Sequence, residues 1–340
     1  MKKYRPVWQC SRIKDEIIVF SEKDGAVCAG LAFDNPHNVT IRKRNGKVLK
    51  EGVDYAVKGN AVVLLDKNLF FYNEEWLKNE NVPTFVENEN KQYDVRDVLL
   101  VSPRFLRETQ FLADYDCDVT DFPEMVFRGN LEKTVQKLVR GEKLDVILFG
   151  DSISNAANSS WEMGFGGYVH WIDAVKKNVL GCCGAEMNIV NVSRSGYGTE
   201  WALSAYKEKF KKMKADLVII AFGMNDSALG AKKFASNVRE LIEGMKSLCK
   251  ETEFIVISSP SANKDCKLFY GQSEQFEELR KTFGGKITLI NMSAASDFLM
   301  KRKKYIEISG NNLNHPNDFF YEFYESALSE TLINAAESEN

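Results

Sequence analysis

Val146–Ser160 reads VILFGDSISNAANSS: an apolar run that breaks at Gly150 into an acid, four serines and two asparagines. Leu144–Phe149 has the length and composition of a buried strand. Packing alone gives no reason for so many hydroxyls straight after it. Either Ser152 caps an ordinary turn, or it is held out to react.

The same rhythm extends outward in both directions. From Gly129 on, Leu131, Val135, Leu138 and Val139 share one helical face. Apolar strands at Leu144–Phe149, Met187–Val192, Asp216–Phe222, Glu253–Ser258 and Lys286–Asn291 then alternate with helical stretches. Phe234, Val238, Leu241, Met245 and Leu248 form the clearest helical stripe. Five strand–helix units predict a parallel sheet covered by helices on both faces. In such folds ligands bind beyond the C-terminal ends of the strands.

Upstream, residues 1 to about 125 read as all-β. Ile17–Phe33 divides at Asp24-Gly25, and Val39–Val57 turns at Asn45-Gly46, a hairpin signal. Ala61–Asp66 and Asp97–Pro103 supply further apolar strands. Short strands with frequent turns predict a sandwich of jelly-roll type. The polar, proline-bearing stretch Asp116–Pro123 marks the boundary, giving domains 1–125 and 126–340.

Bulk composition excludes several classes. The 340 residues carry a net charge of −3, with 44% hydrophobic and 27% charged residues, as in a soluble globular protein. The only dense basic run, Lys301-Arg302-Lys303-Lys304, reads as a solvated helix end, so nucleic acid is not an expected partner. No window reaches the ~18 apolar residues of a membrane span, and the N-terminus lacks the apolar core of a signal peptide. Seven cysteines form no framework, and Cys182 and Cys183 are adjacent, so reduced thiols and a cytoplasmic location are expected. Three histidines argue against a zinc site, and no cofactor is expected. Oligomeric state is not legible.

Four strand ends carry reactive chemistry: Gly150-Asp151-Ser152, Asn191–Gly198 (NVSRSGYG), Ala221–Ala228 (AFGMNDSA) and Asn311–Phe319 (NNLNHPNDF). Each has a plain structural reading. Ser152 can cap a helix, Gly196 can permit a turn, Asn225 can hold a loop and His315 can lie on the surface. Together they supply a nucleophile, oxyanion donors and a base, the set that acyl transfer requires.

In this order the blocks resemble the SGNH hydrolases, the GDSL esterase superfamily, from about Lys143 to the end. The resemblance implies Ser152 as nucleophile and His315 as general base. It implies an oxyanion hole of the Ser152 and Gly196 backbone N–H groups and the Asn225 side-chain amide. It also implies a flavodoxin-like five-stranded parallel sheet between helices. Many members carry aspartate three residues before the histidine, where this chain has Asn312. The analogous aspartate-to-asparagine change in a serine protease costs about 10⁴ in rate. Three arrangements are open: a Ser–His dyad oriented by Asn312 or a backbone carbonyl; another acid, with Asp318 nearest in sequence; or an inactive site. The dyad is favoured because the serine, the histidine and both other oxyanion contributors are present.

Trp161, Tyr197 and Trp201 follow Ser152 closely and are candidates for stacking on sugar rings, with core packing as the alternative. A β-sandwich joined to such a catalytic domain resembles esterases that deacetylate plant polysaccharides. The expected function is therefore a carbohydrate O-acetylesterase acting on small acetylated oligosaccharides. Alternatives are a lysophospholipase, a thioesterase, a general short-chain esterase, or a non-catalytic carbohydrate-binding relic. A two-metal phosphoesterase built on Asp151, Asn225 and His315 is disfavoured by the scarcity of histidine.

Overall fold

The computed structural model of the chain describes residues 2–73, 77, 85–88, 91–94, 101–119, 121–210 and 214–339. The N-terminal strands are β1 (Arg12–Ile18), β2 (Ser21–Lys23), β3 (Ala26–Gly30), β4 (His37–Lys43), β5 (Tyr55–Lys58), β6 (Ala61–Leu64), β7 (Phe85–Asn88), β8 (Lys91–Asp94) and β9 (Phe111–Asp116). They form antiparallel sheets of order β1-β9-β4 and β2-β3-β6-β5, with β7-β8 as a separate pair. Asp24 (φ 51°) and Gly25 (φ 76°) turn β2 into β3, both left-handed as a tight two-residue hairpin demands. At Asn45-Gly46 the turn closes with the Gly46 N–H donating to Lys43 O at 2.9 Å. The strand expected at Asp97–Pro103 lies mostly outside the described residues. Its described end instead opens a helix, α1 (Pro103–Thr109), with proline in the first turn.

The second half is one sheet of β10 (Val126–Phe127), β11 (Leu144–Gly150), β12 (Met187–Asn191), β13 (Leu217–Ala221), β14 (Glu253–Ile257) and β15 (Thr288–Ile290). Its order is β10-β15-β14-β13-β11-β12. The five expected strands run parallel, with Val146 opposite both Ile189 and Leu217. β10, an antiparallel strand on β15, is an addition that periodicity did not reveal. Helices α2 (Glu132–Val139), α3 (Trp171–Cys183), α4 (Thr199–Phe210), α5 (Ala231–Leu248), α6 (Gln272–Phe283), α7 (Met292–Met300) and α8 (Asp318–Ser338) complete this half.

Side chains alternate across the sheet, so each strand feeds two cores. Val146, Leu148, Leu217, Ile219, Ile255 and Ile257 face one core together with α3 and α8. Ile147, Phe149, Val218, Ile220, Phe254 and Val256 face another with α4, α5 and α6. Phe234, Val238, Leu241 and Met245 of the α5 stripe are buried there, while Leu248, at the end of the helix, is exposed.

The first core continues without a break into the N-terminal sheets. Trp8 stacks on Phe122 and Phe323 at 5.3 and 6.0 Å between ring centroids. The Lys301–Lys304 run, expected to be solvated, is the other seam. Lys303 Nζ donates to Glu16 Oε1 at 2.5 Å and to Gly30 O at 2.6 Å, with both charged side chains fully buried. Glu16 also accepts from Tyr115 Oη and the Ala32 N–H. Lys304 Nζ reaches Ser21 O at 2.8 Å, and Arg302 meets Asp34 at 3.0 Å. Gly30 is glycine because a Cβ there would lie 2.1 Å from Arg302 O. Desolvating an ammonium is tolerable only against a carboxylate, which is why a basic run can be an interior seam.

All seven cysteines are free, and no helix among the described residues is long and apolar enough to cross a membrane. Lys303→Met should strand the Glu16 carboxylate in the core and cost about 3–5 kcal/mol of unfolding free energy. Urea denaturation at pH 7 measures this; a loss below ~1 kcal/mol would count against a tightly coupled seam.

Candidate active site

β11 ends at Gly150, where a Cβ would lie 2.0 Å from Ser154 Oγ and 2.4 Å from Ala221 O. That close approach lets the chain fold tightly over the strand end. Asp151 Oδ1 accepts the Ile153 N–H at 2.9 Å, turning the backbone at Ser152. Turns rather than a helix follow up to α3. Ala156 (φ 53°) and Asn158 (φ 63°) are left-handed, a conformation asparagine accepts far more readily than alanine. The Trp171 indole N–H donates to Ile153 O at 3.3 Å, and Tyr321 Oη donates to Ala157 O at 2.9 Å.

His315 arrives on a loop that bonds chiefly to itself. Asn311 Oδ1 accepts the N–H groups of Leu313, Asn314 and His315 at 2.9, 3.0 and 3.2 Å. Ser309 Oγ donates to His315 O at 2.9 Å, and Asn317 caps α8 immediately afterwards. The asparagine-rich sequence therefore supplies the polar groups of an irregular loop from its own side chains.

The two loops meet at the imidazole. Ser152 Oγ lies 2.9 Å from His315 Nε2. On the other side, His315 Nδ1 lies 2.6 Å from Asn158 Oδ1. Nδ1 also lies 3.4 Å from Asn311 Nδ2, but the much shorter contact is to a carbonyl oxygen, which can only accept and so favours the proton on Nδ1 with Nε2 open to the serine hydroxyl. Gly310 makes the meeting possible, since a Cβ there would lie 2.8 Å from Asn158 Cβ.

The contact with His315 Nδ1 expected of Asn312 is thus made by Asn158. Asn312 adopts a left-handed backbone (φ 61°), and its carbonyl and side-chain oxygens receive the Asn263 amide at 2.8 and 3.5 Å. Asp318, the alternative acid, bonds to Ser160 and Arg44 rather than to the imidazole. Asn158 lies within the stretch Val146–Ser160. Its only sequence signal is an amide in a left-handed-prone, hydroxyl-rich turn six residues after the serine.

The remaining strand ends lie beside this pair. The Arg194 N–H donates to Gly150 O at 3.0 Å, and Gly196 turns with φ 79°, a glycine-favouring conformation. Asn225 Nδ2 donates to Tyr197 O at 3.2 Å, which fixes the amide's orientation beside the Gly196 turn. Asp226 Oδ1 accepts from the Thr199 N–H at 2.7 Å and from Thr199 Oγ1 at 2.5 Å, joining the second and third turns. Asp151 is buried, and desolvation pushes its carboxyl up to about 7.

The aromatic candidates separate. Trp161 is exposed and meets His170 edge-on at 4.7 Å. His170 is the N-cap of α3, its Nδ1 accepting the Ile172 N–H. Tyr197 and Trp201 pack together at 5.1 Å, with Arg194 over Tyr197 at 4.2 Å. Trp201 also lies against Phe149 and Phe222. Among the described residues no cluster of three or more His, Cys, Asp or Glu side chains is arranged to hold a metal.

Comparison with known proteins adds to this geometry. A model of the GDSL-like lipase/acylhydrolase family matches residues 148–323, just over half of the chain. No curated protein sequence matches. A solved two-domain esterase active on acetylated mannans, co-crystallised with mannopentaose, is similar in fold at 17% identity and a TM-score of 0.52. The match covers 63% of this chain and 56% of that one, so the chain spans little more than half of that esterase. A lipase/acylhydrolase from Enterococcus faecalis matches at 22% identity and a TM-score of 0.43, covering 56% of this chain and 96% of its own. An acetylxylan esterase from Geobacillus stearothermophilus matches at 15% and 0.45, covering 57% and 94%.

Burial pushes the His315 imidazole down from 6.5 to about 4, with no charged partner to oppose it. The unfolded chain therefore binds this proton more readily. The stability contributed by neutral His315 is complete above its ordinary value and is lost as pH falls from there toward the folded value. Titration of the ring by NMR should show a midpoint well below 6.5. Asn158→Asp, which sets a negative charge against Nδ1, should raise it; a wild-type midpoint at or above 6.5 refutes the burial argument.

Proposed function

The chain belongs to the GDSL-like lipase/acylhydrolase family, and on that premise we propose that it is a serine esterase removing small acyl groups, acetyl above all, from carbohydrate hydroxyls. The observation that carries the mechanism is the continuous relay from Ser152 Oγ through the His315 ring to Asn158 Oδ1, at 2.9 and 2.6 Å.

In this reading His315 Nε2 takes the Ser152 proton as Oγ attacks the ester carbonyl. Negative charge gathers on the carbonyl oxygen. The Ser152 and Gly196 backbone N–H groups receive it, with the second N–H of the Asn225 amide, whose first is held on Tyr197 O. His315 then returns the proton to the leaving sugar oxygen, leaving an acetyl-serine. Water, deprotonated by the same nitrogen, then attacks the acyl carbon, and that proton passes to Ser152 Oγ as acetate leaves.

Asn158 orients the ring without adding a charge. The imidazolium formed in each step is therefore less stabilised than beside an aspartate, but the resting base stays neutral into acid. Within this reading residues 1–125 form an accessory β domain and 126–340 the hydrolase domain. The fold shared with the mannan esterase supports a carbohydrate substrate. So does Trp161, an exposed aromatic side chain in the turns that follow Ser152, of the kind that stacks on sugar rings.

Ser152→Ala should lower hydrolysis of 4-nitrophenyl acetate by a factor on the order of 10⁴ or more. Mass spectrometry of acetylated xylo- and manno-oligosaccharides should show loss of acetyl mass with wild type alone. No loss on any sugar, alongside fast cleavage of long-chain or acyl-CoA esters, would move the enzyme to a lipid or thioester class. Asn225→Ala should cut kcat by about 10²–10³ with KM nearly unchanged; an unchanged kcat removes this amide from the oxyanion hole.

A further inference from the structure

Asp318 makes no bond to the imidazole, yet it stands three residues after His315 and its carboxylate is almost wholly committed. Oδ1 accepts the Ser160 N–H at 2.6 Å, and Oδ2 accepts Ser160 Oγ–H at 2.6 Å. Ser160 in turn stands two residues after Asn158. A two-point grip therefore joins the His315 segment to the Asn158 segment close to the place where their side chains touch.

The grip is completed from the N-terminal region. Arg107 of α1 donates from Nε to Ser160 Oγ at 2.7 Å, so the hydroxyl both gives and receives. Arg44, whose side chain is only 7% exposed, lies 3.2 Å from Asp318 Oδ2. Its fork is held in turn by Gln110 Oε1 and Tyr168 Oη, each at 2.6 Å. Asp318 also opens α8 just after the Asn317 cap, where the helix dipole favours a negative charge. The carboxylate thus has an ion pair, two charge-assisted hydrogen bonds and a helix end in its favour.

We propose that Asp318 is a positioning residue, acting through Ser160 to keep Asn158 Oδ1 on His315 Nδ1, and that Arg44 and Arg107 make the N-terminal region part of this brace. The inference rests on the reading of His315 as the base. The carboxylate does not touch the histidine; it sets the amide that does. Displacing a catalytic ring partner by a fraction of an ångström is costly, because proton transfer to Nε2 depends on the direction of the ring.

The test is a double-mutant cycle on the full chain with 4-nitrophenyl acetate, using Asp318→Asn, Ser160→Ala and Asn158→Ala singly and in pairs. Asp318→Asn and Ser160→Ala should each lower kcat, by up to about a hundredfold, with KM little changed. Added to Asn158→Ala, each should cost less than about a further twofold, because the amide they position is already gone. The proton on His315 Nδ1, followed by NMR, should shift or broaden in both single variants. Fully additive losses, or an unmoved resonance with kcat intact, would overturn the proposal. Should Asp318→Asn fail to fold, Ser160→Ala, which removes one hydroxyl and leaves the backbone bond, decides by the same criteria. An Asn158→Ala enzyme with unchanged kcat sinks both the brace and the relay. Full activity in Ser152→Ala sinks the esterase mechanism alone, and the resonance then still decides the brace.

Discussion

A 2.6 Å contact between Asn158 Oδ1 and His315 Nδ1 joins residues 157 positions apart, and much of the surrounding structure exists to permit it. Gly310 gives up its side chain so that the Asn158 segment can approach. Asn158 takes a left-handed backbone that few other residues adopt cheaply. Tyr321 and Trp171 pin the turns between Ser152 and Asn158 from the two flanking helices. With an uncharged partner the imidazole keeps its orientation but loses the electrostatic pull a carboxylate would give. Desolvation alone then sets its affinity for the proton.

The N-terminal sheets are fastened to the α/β half by two seams of different chemistry. One is apolar and aromatic, with Trp8 stacked on Phe122 and Phe323. The other is ionic, with Lys303 inserted between Glu16 and Gly30 O and its neighbours Arg302 and Lys304 paired on either side. A buried ion pair contributes little net stability against an apolar pair of equal volume. What the pair adds is a matched place, since Lys303 Nζ meets Glu16 Oε1 and Gly30 O together.

The parallel sheet was legible because its inner strands are apolar on both faces and the helices at Glu132–Val139 and Ala231–Leu248 carry apolar stripes, patterns held in local sequence. The strand-end rule drew the eye to Ser152, Gly196, Asn225 and His315, and the structure sets Ser152 Oγ 2.9 Å from His315 Nε2. What escaped were features that depend on partners far away in the chain. Lys301–Lys304 reads as a solvated run until Glu16, 287 residues from Lys303, is known to lie opposite. Asn312 sits where an aspartate stands in many relatives, so spacing drew attention to it. The structure turns its oxygens toward Asn263 and brings Asn158 to the ring instead. Two residues of β10 were too short a signal to separate from a loop.

The two edges of the large sheet are treated differently. β10 covers β15 with an antiparallel pair, while among the described residues nothing pairs with the outer side of β12. Such an edge is a template on which another chain can add a strand. Here Val190 is exposed, but Asn188 bonds inward to Asp145 and Asn191 to Asn155 and Ser154 O. Those amides keep the edge polar and short. Because Asn191 also bonds to Ser154 O and Asn155, the character of this edge and the set of the turn that carries Ser152 are vested partly in one side chain. A change there that invited self-association would disturb the Ser152 turn in the same stroke.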